Sequence, residues 1–311
     1  MLSRVAERLY WYARYIERTE NTARLLLVRH NLMLDLPGQV QPGWNLLIDV
    51  MGASEAFRGI PGKATEKNVI SFIFGNRDNP GSILSSIAHA RENIRTTREV
   101  MPSEVWERTN SLYLSVVRRG RQELPRSMRH KVLNDIIQRC QQITGMLAGS
   151  MSHEAGYQFI RIGRNLERSD MSTRIIDVGS ARLLGADEEA MPFQSALWID
   201  VLKSLSAYQM YRQIVRRRVN ADDVLHFLFD SRTFPRAVIH TLGEIASSIE
   251  LLPNNKKAIA AIRKVNKTLE TVDIDQLRGE DLHDFIDQLQ IQFDQIHNII
   301  YKSWFAPELA A

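Results

Sequence analysis

The sequence holds one cysteine, Cys140, in 311 residues. That excludes an internal disulfide framework and any cluster built on several thiolates. No apolar run approaches the roughly 20 residues needed to cross a bilayer. The opening Met-Leu-Ser-Arg is charged from Arg4 onward and lacks the apolar stretch of a signal peptide. A cytoplasmic protein without a membrane partner is therefore expected. Histidines number eight and are scattered. A carboxylate-bridged metal bundle needs Glu-x-x-His on two helices, and the chain has that spacing once, at Glu280-Asp-Leu-His283. No metal site is expected. Ser–His–Asp order, a Walker loop and a dinucleotide fingerprint are all missing. So is any sustained alternation of period two between hairpin turns, which argues against a sheet.

An excess of one charge is nearly missing too. The net charge is +4, from 40 basic and 36 acidic side chains. Arg216-Arg217-Arg218 and Arg118-Arg119-Gly120-Arg121 fall at expected helix ends, where cations complement the helix dipole. Nucleic acid is not indicated as a partner. What remains is an ordinary globular composition, 44% hydrophobic and 24% charged, with ample material for a core.

The most informative thing present is a motif that occurs twice, 150 positions apart. Arg14-Tyr-Ile-Glu17-Arg18-Thr-Glu-Asn-Thr-Ala-Arg24-Leu-Leu lies over Arg164-Asn-Leu-Glu167-Arg168-Ser-Asp-Met-Ser-Thr-Arg174-Ile-Ile. The four identities are all charged, whereas the apolar neighbours vary, which points to a shared polar task. A second pair of blocks follows in the same order. Val69 to Phe74, then Arg77, Pro80 and Ile83, match Val224 to Phe229, Arg232, Pro235 and Val238. Trp44 with Trp198 and His89 with His240 extend the register. The chain thus reads as repeats 1–150 and 151–311 within one domain.

Nearly every segment between these landmarks has helical periodicity. In the first, Val5, Leu9, Tyr12, Ile16, Ala23 and Leu27 recur at steps of three, four and seven. Twelve helices are predicted, over 2–34, 44–58, 66–75, 80–100, 103–121, 127–149, 153–184, 193–218, 221–230, 235–252, 255–272 and 279–305. Pro-Gly pairs at 37–38, 42–43 and 61–62 separate segments. Pro80 and Pro235 are expected in the first turns of their helices, where the missing N–H costs nothing. The fold expected is all-α, two duplicated halves packed as one pseudo-twofold bundle.

On a helical projection Tyr10, Arg14, Glu17, Asn21 and Arg24 form one row beside the apolar stripe. Trp11, Arg18, Thr22 and Arg29 form a second row. Arg164, Glu167 and Arg174 regenerate the first row in the second copy, with Arg168 and Ser172 in the other. A long helix in such a bundle is covered on several sides, so these rows are expected to face inward or line a cleft. There they can serve as ion pairs holding the long helices in register. Alternatively, the guanidinium forks bind carboxylates or phosphates while a glutamate acts as base. A further cluster, Arg91-Glu92-Asn93 with Arg95, has no counterpart in the second half, where the charges are gone. Broken symmetry of that kind marks a place for specialised chemistry. Arg77 and Arg232 are expected to cap carbonyls at the ends of the preceding helices.

The run Leu2-Ser-Arg4-Val-Ala-Glu7-Arg8-Leu-Tyr10-Trp11, with Arg14 to Arg18 and Asn21 to Leu25, closely resembles the bacterial alpha-E family. So do Ala90 to Arg95, Trp106-Glu107 and Phe159 to Arg168. The resemblance covers essentially the whole chain and implies an all-helical domain. It implies genomic company as well: members occur beside, or fused to, circularly permuted ATP-grasp proteins, and near transglutaminase-like peptidases. From that company follows an expected role in making or modifying a peptide or amide-linked product. The motif positions are Glu17, Arg18, Arg24, Arg91, Glu92, Asn93, Arg164, Glu167, Arg168 and Arg174. The chain carries no ATP-grasp module, so ATP and magnesium would enter only through a partner. On this reading Glu92, Glu17 and Glu167 are candidate bases. Arg14, Arg18, Arg24, Arg91, Asn93, Arg95, Arg164, Arg168 and Arg174 are candidates for holding an anionic substrate. The alternative is a non-catalytic helical scaffold with purely structural Arg–Glu networks.

Overall fold

A computed structural model describes residues 2–35, 43–60, 62–120, 124–184 and 194–306. Among them are fourteen α-helices and no strand, so the all-α reading holds. Pro37-Gly38, Pro42, Pro61 and Arg121 lie outside the described residues. No helix among the described residues is long and apolar enough to cross a membrane, and no group of three or more metal-ligating side chains occurs among them.

The chain divides into two compact units, one of residues 15–151 and one of residues 1–14 with 152–311. The first helix, α1 (Ser3–Asp35), contributes to both. The unit of residues 15–151 continues with α2 (Asn45–Val50), α3 (Ser54–Arg58), α4 (Glu66–Gly75), α5 (Ile83–Arg95), α6 (Ser103–Gly120) and α7 (Arg126–Ser150). Within it α5 packs on α6, α6 on α7, and α4 on both α5 and α6. The other unit holds α8 (Ala155–Leu184), α9 (Gln194–Ser204), α10 (Tyr208–Val215), α11 (Ala221–Asp230), α12 (Val238–Glu250), α13 (Lys256–Thr271) and α14 (Gly279–Ile300). There α8 packs on α12 and α14, and α13 lies against the same two helices.

Sequence chemistry explains the elements. Helix α4 starts at Thr65, whose hydroxyl accepts from the Asn68 N–H, and α11 starts at Asn220, which accepts from Asp223. Both helices run ten residues and bury the same pattern: Val69, Ile70, Phe72, Ile73, Phe74 in one and Val224, Leu225, Phe227, Leu228, Phe229 in the other. Helix α6 turns Val105, Thr109, Leu112 and Val116 inward, and α13 does so with Ala258, Ile262, Val265 and Leu269. Both sets step by four, three and four, the spacing of one helical stripe.

Two predicted helices are each broken in two. The segment 44–58 divides at Gly52, which has φ of 60°, and 193–218 divides at Ser206, with φ of 55°. Left-handed residues end a helix, and the apolar periodicity that runs through both segments conceals them. Neither proline opens its helix. Helix α5 begins after Ser82 and α12 after Ala237, so Pro80 and Pro235 precede them by three residues. At the first of these turns the Asn79 side chain accepts from Gly81 N–H and donates to the Phe72 carbonyl. That local hydrogen bonding organises the loop in place of a helical first turn. Helix α14 ends in a single π-helical turn, Tyr301–Phe305.

Candidate functional site

In the unit holding residues 1–14 and 152–311, the motif chemistry begins with a glycine. A Cβ at Gly163 of α8 would collide with the Tyr10 carbonyl of α1. Only glycine permits this approach, and it sets Arg14 of α1 against Glu167, one turn further along α8. Arg14 Nε donates to Glu167 Oε2 at 2.8 Å. Arg14 Nη1 donates to the Tyr10 hydroxyl at 3.2 Å, and that hydroxyl lies 2.8 Å from His297 Nδ1 on α14. The Tyr10 and His297 rings are stacked, and Trp11 meets the imidazole edge-on. Tyr10 and Glu167 are buried, at 0% and 1% exposure.

The electrostatics of this chain of contacts follow from burial and neighbours. Burial lowers the His297 pKa and the Arg14 cation lowers it further, so the imidazole is neutral. A neutral ring with Nδ1 as acceptor, a tautomer assigned from the hydrogen-bond pattern, accepts a hydrogen bond from the Tyr10 hydroxyl, while Tyr10 accepts from Arg14. For Arg14 burial opposes the charge, but Tyr10 and Glu167 outweigh it and raise its pKa. One turn beyond Glu167, Asp170 receives Arg174 Nε at 3.0 Å. Burial raises the Asp170 pKa; the Arg174 charge opposes the rise and nearby Glu167 adds to it. The result is a connected line of groups, His297–Tyr10–Arg14–Glu167, with a carboxyl of raised pKa beside it. Arg14 Nη2, with two further N–H groups, takes no part in these bonds.

The rest of the first motif copy, from Tyr15 on, has a different setting, in the unit of residues 15–151. Glu17 and Glu20 are 2% and 4% exposed. Arg24 Nη2 donates to Glu20 Oε1 at 2.7 Å, and Gln141 of α7 reaches the same oxygen at 3.5 Å. Burial pushes the neighbouring Cys140 thiol well up, and Glu20 and Glu17 add to the effect. Arg18 lies over the Tyr15 ring, 5.6 Å from its centroid.

The cluster on α5 is arranged otherwise. Arg95 donates twice to Glu92, at 2.9 and 2.7 Å, with both side chains about half exposed. The structure therefore puts Glu92 in a surface ion pair. Arg91 turns to α6, where Nε donates to Asn110 Oδ1 at 2.7 Å and the guanidinium lies 4.9 Å from the Tyr113 ring centroid. Asn93 contributes its carbonyl, which accepts from the Thr96 and Thr97 hydroxyls. In the other unit Arg168 Nη1 reaches the Pro235 carbonyl at 3.4 Å. Glu244 is paired with Arg161 at 2.6 Å; burial opposes the charge, but Arg161, His240 and Arg164 together lower its pKa. Arg232 pairs with Glu270 at 2.8 Å in place of the expected carbonyl cap, because Glu270 on α13 comes within reach. The His283 of the single Glu-x-x-His spacing is bonded to Asp177 at 2.8 Å.

Structure thus joins Arg14 with Glu167 and Glu92 with Arg95 among the sequence candidates. Glu20, Asp170, Gln141 and His297 join the networks without having been singled out. Glu20 and Asp170 carried a readable signal: each is an acid three residues after the motif glutamate and four before the motif arginine. Gln141 and His297 lie on distant helices and carried none.

Comparison with known proteins gives one consistent result. A family model described as "A predicted alpha-helical domain with a conserved ER motif", Alpha-E, matches residues 1–305. An uncharacterized protein of Mycobacterium bovis is 24% identical, over an alignment covering 89% of this chain and 34% of the relative. An uncharacterized protein of Mycobacterium tuberculosis matches with the same identity and coverage. The chain spans about a third of the length of these curated relatives. No solved structure matches. With a helical chain matched almost from end to end, and Glu17-Arg18 and Glu167-Arg168 at the heart of its repeated segment, the chain belongs to the Alpha-E family.

Proposed function

We propose that the chain is a component of a peptide- or amide-bond-forming, or peptide-modifying, system whose ATP-dependent step is carried by a separate circularly permuted ATP-grasp protein. In this reading the chain binds the anionic part of a substrate, and Arg14 is the centre of the site. The observation that carries it is the Arg14 geometry. Its guanidinium is held from two directions by Glu167 and Tyr10, is linked to a neutral imidazole, and keeps one nitrogen for a carboxylate or phosphate. Asp170, whose pKa is raised by burial, lies beside it and is the proton-exchanging group in this reading. That the matched relatives are about three times as long supports a domain that works next to others.

A second reading has its own support. Arg14, Arg24, Arg95 and Arg174 each already hold an acid of this same chain. Networks so compensated suit a non-catalytic scaffold that positions a partner. One experiment separates the two readings. The chain is purified with a circularly permuted ATP-grasp protein, and ATP-dependent product is measured for wild type, Arg14→Gln and Asp170→Asn. Loss of product with retained complex and unchanged melting supports anion binding. Full product with both variants refutes it and leaves the scaffold, and absence of any complex removes the ATP-grasp association.

A further inference from the structure

Where α5 meets α6, in the unit of residues 15–151, guanidinium groups and aromatic rings are brought together. The rings come from α6, where Trp106, Asn110 and Tyr113 step by four and three and so share one side of the helix. The cations are Arg91 on α5 and Arg98 in the single helical turn Arg98–Val100 that follows it. The Arg98 guanidinium lies 3.7 Å from the Trp106 ring centroid. Arg91 lies 5.6 Å from that centroid and 4.9 Å from the centroid of Tyr113.

Neither cation holds an acid among the described residues, although acids are close in sequence. Glu92 takes both of its bonds on α5 from Arg95. Glu99 and Glu107 are exposed and form no ion pair with either arginine. The setting differs from that of Arg14, Arg24, Arg95 and Arg174, each of which is bound to a carboxylate. Arg91 Nε donates to Asn110 Oδ1 at 2.7 Å. That bond and the Tyr113 ring hold the guanidinium, so the fork of Nη1 and Nη2 is oriented with little further ordering cost. The Arg98 guanidinium has no hydrogen-bond acceptor among the described residues; stacking on the indole covers its face and leaves its N–H edge.

Helix pairing does not require this arrangement. In the register that sets His89 over His240, the five positions read Leu242, Ile249, Lys257, Ala261 and Lys264. Leu242 and Ile249 are fully buried there, and α12 packs on α13 without a guanidinium between them.

From two arginines without acids, held against one indole, we infer that this face binds a small dicarboxylate, one carboxylate at the Arg91 fork and the other at Arg98. Two separate planar forks suit two planar carboxylates better than one tetrahedral ion. The site stands independently of the ATP-grasp reading, since it shares no residue with the Arg14 network.

Calorimetric titration of the full chain with succinate, glutarate, adipate, acetate and inorganic phosphate tests it. The best of the three dicarboxylates is expected to bind saturably, about tenfold or more tightly than acetate or phosphate. Arg98→Gln should weaken that binding about tenfold while the circular dichroism spectrum is kept, because Arg98 is exposed. Arg14→Gln should leave it unchanged. On saturation the Trp106 indole N–H resonance, identified by its loss in Trp106→Phe, should shift. Acetate or phosphate binding as tightly as every dicarboxylate overturns the two-headed ligand. No saturable dicarboxylate binding, or binding that survives Arg98→Gln and is lost in Arg14→Gln, overturns the site.

Discussion

The two motif segments carry the same charges and meet different neighbours. In both, an acid three residues after the motif glutamate holds the motif arginine one turn on: Glu20 with Arg24 and Asp170 with Arg174. Around the first copy the network runs to Gln141, a neutral amide, and past a buried thiol whose pKa is pushed up. Around the second it includes Arg14 and Tyr10 and ends at a histidine. One copy therefore borders an amide and a buried thiol, and the other is linked to an imidazole. A repeated sequence motif specifies a local ion pair; its chemistry depends on which helix is laid across it.

That contrast can be broken most forcefully at glycine. Gly163→Ala should destabilise the chain by about 1–3 kcal/mol through overpacking against Tyr10, and Gly163→Val by more. Gly145 on α7 has open space where a Cβ would go. Gly145→Ala should be neutral or stabilising by up to about 1 kcal/mol. Chemical denaturation of the pair measures the difference, and equal effects would deny the close crossing of α1 and α8.

Next in size is the buried pair itself. A double-mutant cycle on Arg14 and Glu167 should give a coupling of at least about 1 kcal/mol, because both side chains are buried and share a hydrogen bond. The same cycle on Glu92 and Arg95 should give about 0.2–0.5 kcal/mol, the yield of an exposed pair one turn apart. Equal couplings would erase the distinction between network and surface pair.

A finer test reads the imidazole. NMR titration should place the His297 pKa below 6.5, and Arg14→Gln should move it upward by removing the nearby cation. An unmoved value would cut Arg14 out of the relay.

The smallest effects come from pH. Hydrogen bonds to Asp275 and Asp230 overcome the burial of His226 and raise its pKa; hydrogen bonding to Asp177 does the same for His283. Stability from these two groups is fully present below pH 6.5 and is lost as pH rises through their raised folded values. His226→Gln with His283→Gln should flatten that slope. Glu66 acts at the other end: its depressed pKa stabilises above 4.5, and that contribution is lost as pH falls toward about 2. Glu66→Gln should remove this acid sensitivity in melts at low ionic strength.

Helix positions were largely legible before any coordinates. The segments 66–75 and 221–230 match α4 and α11 at both ends, because Thr65 and Asn220 cap them and a dense apolar run follows. The breaks at Gly52 and Ser206 were hidden by apolar periodicity that continues across them. For the site, Arg14 and Glu167 could be picked out by their repetition, and Glu20 and Asp170 by spacing. The exposure of Glu92 could not, since an Arg-Glu-Asn cluster reads alike on an inner or an outer helix face.

By itself the sequence determined the helical class, the cap sites, the repeated charge pattern and the i, i+4 pairs, because all of these act over one or two helical turns. Only the tertiary structure decided that Arg14 meets Glu167, that Tyr10 reaches His297, and that Glu66 is gripped by Arg126 and Arg129. Those partners are separated by 60 to 287 positions. Helical periodicity says which face a residue occupies, but helix crossing, set by contacts such as Gly163 on Tyr10, decides what that face meets.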